Sequence, residues 1–405
     1  MPLVVLCIAL HGSCYRAVSL ARLEPEDIAV SKMPPATPRT FCSAWQDYLF
    51  DPHLPDAIPV RTLRINVHIM DSRDSAFNVR QEAGRRYVRE LIALANERLD
   101  SNDVNWQSPP GTPVYPKRYR YRLWPQPGGD DDGIYFHYDD DHWFFVSQGK
   151  NQNNYRTDVI GRYGIGTDSI MNIFIQVHPP DSMRSPSYRA NLQGIALGTN
   201  LKMAGFFERS ETTGAVQGLL NHEIGHILGL SHAWTEDGCP DTHNHPNKCW
   251  QRTEDPPCDQ EATNNMMDYN AHQFTLTPCQ IARAHATMTN ERSPVRQRIH
   301  TDYCFYQPGT DIVIRDSVSW TGARDLTGNL YVRNGGVLMV NCRLSMPEGG
   351  RIVVYPGGRL WLNGARIHNA CGRNWAGIFQ GTSGKRPAGQ VFYIQPAVIE
   401  DVTPP

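Results

Sequence analysis

Apolar and polar residues alternate along Leu63-Arg64-Ile65-Asn66-Val67-His68-Ile69, the period of a half-buried strand. On that strand His68 reads as a packed or exposed histidine rather than a ligand. From Val79 to Leu99 the period lengthens. Val79, Ala83, Val88, Leu91, Ala95 and Leu99 fall on one side of a helix that would back the sheet. Tyr119 to Trp124 and Ile134 to Tyr138 read as further strands. Ile170 to Val177 is nearly continuous in its apolar character, which predicts burial on both faces. Gln193 to Thr199 forms a strand before a second helix, in which Val216, Leu220, Ile224 and Ile227 make an apolar stripe. Thr277, Pro278 and Gln280 supply a cap, a first-turn proline and a glutamine three residues after the cap. The helix they open carries Ile281, Ala284 and Met288 inward.

Beyond residue 300 the pattern changes. Glycine becomes frequent and strands replace helices. Leu330 to Asn341 aligns with Ile352 to Asn363 at a shift of 22 residues, each copy turning at a Gly-Gly pair. Short apolar strands repeated at this spacing predict coils of a parallel β-solenoid; a small β-sandwich is the alternative. Nothing in this region offers catalytic chemistry. Trp320, Trp361 and Trp375 read as packing residues, and the domain would bind a surface or a partner.

The 405 residues predict two domains: a catalytic one over 58–300 and a β-rich, Gly-rich one over 305–405. The net charge of −2 argues against general nucleic-acid binding. The longest strongly apolar run, Leu3 to Leu10, is too short to span a bilayer. It fits the core of a signal peptide over 1–19, with Ala17-Val18-Ser19 as cleavage site. The leader has no Lys or Arg before that core, so an internal start or a truncated leader fits as well. Residues 20–57 are Pro-rich and read as a propeptide or N-terminal extension.

The chemistry lies in His222-Glu223-Ile224-Gly225-His226-Ile227-Leu228-Gly229-Leu230-Ser231-His232. Residues four apart share a helical face, so His222 and His226 can present two imidazoles to one ion. Glu223 stands one step round, able to reach a water without being a ligand. Gly229 permits the positive φ that ends the helix and returns His232 as third ligand. Three neutral imidazoles leave a fourth tetrahedral position open, as in catalytic rather than structural zinc sites.

These residues resemble the metzincin metallopeptidases, and Asn265-Met266-Met267-Asp268-Tyr269 followed by Thr277 to His285 resembles their pappalysin branch. The resemblance covers roughly residues 58–290. It implies an α+β catalytic domain: a twisted five-stranded sheet, a backing helix, an active-site helix, and a C-terminal subdomain with a Met-turn and a helix. It implies Met267 beneath the zinc, with Met266 as the alternative, Tyr269 near the metal, and Gln193 to Thr199 as the edge strand of the cleft. The expected activity is that of a zinc endopeptidase with Glu223 as proton acceptor, acting on peptides or proteins. A secreted hydrolase of a non-peptide amide, or a binding protein with a vestigial site, would be the rivals.

The same resemblance links Asp237, Asp241 and Thr242 with structural calcium, although His243 replaces the usual proline. His243 and His245 read as ordinary loop histidines rather than a second metal site. The acidic patches Asp130 to Asp132 and Asp139 to Asp141 read as solvated loop charge before calcium ligands. Ten cysteines include Cys7 and Cys14 in the leader, which leaves an even eight. Those around the motif lack C-x₂-C spacing, so disulfides in an extracellular compartment fit better than a second zinc site. The resemblance suggests Cys239 with Cys258 and Cys249 with Cys279. Cys42 reads first as a disulfide partner, with Cys304 as a candidate mate, and second as a zymogen thiol that blocks the zinc.

Overall fold

The computed structural model describes residues 18–31, 42, 44–74, 78–179, 181, 184, 185, 192–206, 213–384 and 386–404. The expected signal-peptide core and its cysteines lie outside them, as does part of the 20–57 extension. The fold is mixed α/β, with several sheets and few helices. It divides into two compact units, one of them built around residues 44–303 together with 321–326.

In that unit the central strand is Arg61–Asp71, longer than the alternating stretch that announces it. Eleven residues give room for two partners on one side: Tyr119–Leu123 pairs with its first half and Ile134–Tyr138 with its second, both parallel. The sheet has six strands rather than the expected five, and the one not expected is Asn200–Ala204. Met171–Gln176 pairs on the other side and is buried at every position, as its apolar run predicts. Asn200–Ala204 follows in parallel, and Gln193–Leu197 closes the edge antiparallel to it.

The helix Gln81–Asp100 buries Val88, Leu91, Ala95 and Leu99. The helix Thr213–Ile227, which carries the first two histidines of the motif, buries Val216, Leu220, Ile224 and Ile227, and Asn221 ties it to the backing helix through a bond from Nδ2 to Ala95 O (3.3 Å). The last helix, Pro278–Thr289, opens on a full capping box between Thr277 and Gln280 and buries Ile281, Ala284 and Met288. His68 is wholly buried, stacked on Phe174 at 4.5 Å and bonded to Asn66 and Asn172. Within the acidic patches Asp132 pairs with Arg85 and Arg89, and Asp139 with Arg162, His142 and Tyr163.

The other unit contains residues 304–320 and the chain from 327 onward. Ile312–Ile314, Leu330–Val332, Arg351–Val354 and Gly377–Thr382 stack as one parallel sheet. Ser317–Trp320, Val337–Val340, Arg359–Asn363 and Gln390–Gln395 stack as a second, and Arg343–Ser345, Arg366–His368 and Val398–Ile399 as a third. Leu330 pairs with Ile352 and Leu338 with Leu360, so the 22-residue repeat is a pairing register. Ser19–Leu23 adds antiparallel to Gly377–Thr382, and Ala29–Val30 adds parallel to Gln390–Gln395. The expected 20–57 extension is thus split: its first strands belong to this unit, and its residues from 44 belong to the other. Trp320 and Trp375 are buried packing residues.

Among the described residues, no helix is long and apolar enough to cross a membrane.

Candidate metal centre

The active-site helix ends as its glycine requires. Gly229 has φ +86°, the Leu230 N–H bonds back to Gly225 O (3.0 Å), and the Gly229 N–H to His226 O (3.0 Å). This reversal brings His232 back to the helix. His226 Nε2 lies 3.1 Å from His222 Nε2 and 3.1 Å from His232 Nε2.

The far side of two rings fixes what those nitrogens are. His222 Nδ1 lies 2.8 Å from Met266 O, and His226 Nδ1 lies 2.8 Å from Leu230 O. A carbonyl oxygen only accepts, so each Nδ1 carries the proton and each Nε2 presents a lone pair. Lone pairs converging at 3.1 Å repel one another unless a cation stands among them. Burial lowers the pKa of all three rings, to about 3 for His222 and about 4 for His232. They stay neutral at pH 7, the form that ligates a metal. The donor set therefore fits a zinc-type ion.

Glu223 is buried beside the trio. Desolvation pushes its carboxyl up to about 7, opposed by the N–H of Ala196 on the edge strand. Gly194 on the same strand abuts it so closely that a Cβ there would fall 2.6 Å from Glu223 Cγ. Met267 is buried under the helix, and a Cβ on Gly225 would strike its sulfur. Met266 is also buried, but it serves through its backbone carbonyl on His222. The loop carrying His232 is pinned to this turn by a bond from Ala233 N–H to Met267 O (3.2 Å). The Tyr269 ring lies 5.6 Å from His222 and 5.3 Å from His232, half exposed; burial and then the nearby Glu223 raise its hydroxyl pKa.

Several supporting residues escaped the sequence reading. Trp234 stacks face-on against His232, with centroids 3.9 Å apart and planes at 15°. Gln273 Nε2 reaches Asp268 O (2.8 Å) beside His222. Asp268 accepts from Thr263 (2.7 Å) and His245 (3.1 Å), which gives His245 a structural partner. Trp234 carries no local signal except nearness to the motif, and Gly194, in the edge strand well before it, carries none.

Two expectations need correction, and a third gains no support. Cys239 pairs with Cys279 and Cys249 with Cys258, not Cys239 with Cys258 and Cys249 with Cys279. The reason lies at the last helix. Asp241 accepts from the Thr277 hydroxyl (2.7 Å) and the Cys279 N–H (2.9 Å), which draws the 239 loop onto the helix start. Cys258 is then left to close a short local loop with Cys249. Those bonds also answer the calcium expectation. Asp241 spends both oxygens on the helix, and Asp237 accepts from Thr242 (2.7 Å) and the Cys239 N–H (2.9 Å). Asp237, Asp241 and Thr242 organise the loop through protein donors, and calcium gains no support. Finally, Cys42 is in a disulfide, so it offers no zymogen thiol; Cys304, its expected mate, pairs with Cys371.

A cavity of about 950 Å³ opens beside Glu223, lined by residues of the edge strand, of the helix turn before His222, and of the segment from Tyr269 to Phe274.

Solved structures of mirolysin are similar to this chain. Mature mirolysin of Tannerella forsythia in complex with a cleaved peptide is 17% identical, with a TM-score of 0.40, covering 58% of this chain and 94% of that one. Mirolysin in complex with compound 9 is 17% identical, with a TM-score of 0.41, covering 59% and 96%. A promirolysin mutant of Tannerella forsythia is 17% identical, with a TM-score of 0.38, covering 60% and 85%. No protein-family profile and no curated protein matches the chain.

Proposed function

We propose that this protein is a secreted zinc-dependent endopeptidase of the metzincin type, similar to pappalysins, carrying a C-terminal β-solenoid. The observation that carries the reading is the convergence of three imidazole Nε2 atoms, with His226 Nε2 3.1 Å from each of the other two, beside a buried carboxyl. His222, His226 and His232 would hold the zinc. Bound zinc supplies Lewis acidity, which lowers the pKa of a water and polarises a carbonyl.

The chain's own residues do the rest. Glu223, with a carboxyl poised near pH 7, takes a proton from the attacking water and delivers it to the leaving amine. The Ala196 N–H holds that carboxylate in place. Tyr269 offers its hydroxyl to the oxygen on which charge develops. The edge strand Gln193–Leu197 is partly exposed at every position and pairs with Asn200–Ala204 on one side, so an extended peptide can add to its other side as a further strand. Met267 fills the space under the helix and keeps His222 and His226 in register. Disulfides in both units fit an oxidising compartment.

The test is Glu223→Ala in the zinc-loaded protein, with casein and peptides as substrates. Zinc should stay bound while turnover falls by at least about 1000-fold. Wild-type turnover in that variant would sink the reading.

A further inference from the structure

Resting on that reading, we infer that the cleft selects a bulky uncharged side chain, aromatic above all, on the residue flanking the scissile bond that enters the cavity beside Glu223. The cavity is several times larger than any single side chain, and Trp106, Phe145, Trp250, Tyr269 and Phe274 line it. Trp250 and Tyr269 are both about half exposed at its mouth, 54% and 51%. Such rings are kept out of water only when something apolar covers them.

On the side formed by Tyr269 to Phe274, Asn270 and Gln273 are engaged already. Asn270 Nδ2 donates to Thr263 and to Asn265 O, while its Oδ1 accepts from the His272 N–H. Gln273 donates to Asp268 O. The His272 ring stands edge-on to Trp106 at 5.5 Å. The segment Tyr269-Asn270-Ala271-His272-Gln273-Phe274 contains no carboxylate to receive a basic side chain.

Charge disfavours a cationic guest further. The Phe274 ring already has Arg98 at 5.1 Å and the buried Lys117 at 4.9 Å. Besides Glu223, the one lining carboxylate among the described residues is Asp103. It also borders the neighbouring 270 Å³ cavity, so it stands on the shared rim.

The test uses the full zinc-loaded chain and a peptide library varied on both sides of the cut, with products read by mass spectrometry. Phe, Tyr, Leu or Met at one flanking position should raise kcat/KM roughly 10- to 100-fold over Ala, with Lys, Arg, Asp and Glu no better than Ala. Phe274→Ala and Trp106→Ala should shrink that preference through KM. In Glu223→Gln, which would hold peptides uncut, calorimetry should show tighter binding of the Phe peptide than of its Lys counterpart. Cleavage that favours charged residues, or no preference at either position, overturns the inference and leaves the peptidase reading intact. A zinc-loaded chain that cuts nothing overturns both.

Discussion

Gly194 leaves no room for a side chain. A methyl there would stand 2.6 Å from Glu223 Cγ and 2.7 Å from Oε1, where ordinary contact begins near 3.4 Å; the overlap is 3.4 − 2.6 = 0.8 Å. The edge strand cannot simply retreat, because its Ala196 N–H holds the same carboxylate. Gly194→Ala must therefore move the Glu223 carboxylate, the proposed proton acceptor, by most of an ångström. A displacement of about 1 Å costs roughly 100-fold in rate, or about 2.7 kcal/mol of barrier. The assay is kcat/KM on a peptide substrate, with zinc content and thermal melting measured on the same sample. Zinc should remain, since no ligand is touched. Gly161→Ala is the control: its Cβ would meet nothing within 4 Å, and activity should be unchanged. Wild-type kcat/KM in Gly194→Ala would refute the claim that this glycine sets the carboxylate's position.

Trp234→Ala should weaken zinc affinity about tenfold, measured against a competing chelator, because the ring stacked on His232 is lost; an unchanged Kd would contradict the stacking role. Asp325 is buried between Arg61 (2.5 Å) and Arg296 (2.7 Å), so Asp325→Ala should cost about 3–5 kcal/mol in urea unfolding, and a loss under 1 kcal/mol would count against it. His285 is buried, and its pKa is lowered to about 3 from 6.5. The unfolded chain binds this proton first as pH falls, so the contribution is full above pH 6.5 and declines toward about 3, by up to about 1.4 kcal/mol per pH unit. His285→Gln should flatten the fall of stability between pH 6.5 and 4; an unaltered slope would show that His285 does not drive it.

Local periodicity carried much of the fold. Leu63 to Ile69, Ile170 to Val177 and the Thr277 cap announced their elements, because alternation, apolar runs and capping are near-neighbour properties. The strand that escaped is Asn200–Ala204, a short strand that follows Gln193–Leu197 across a tight turn at Gly198. The three-histidine motif was legible because residues four apart fall on one helical face. Gly194, Trp234 and the contact of Gly225 with Met267 were not, since they arise where separate segments meet. The cysteine pairing failed for the same reason: Asp241, thirty-odd residues from the helix it caps, decides which thiols approach.

The most direct measurement is metal content by mass spectrometry after dialysis against zinc and removal of excess. The account predicts about one tightly held zinc per folded chain, lost in His222→Ala, in His226→Ala and in His232→Ala while each variant keeps its secondary structure. A folded wild-type chain that takes up no zinc, or a His232→Ala variant that holds it as tightly as wild type, would contradict the account.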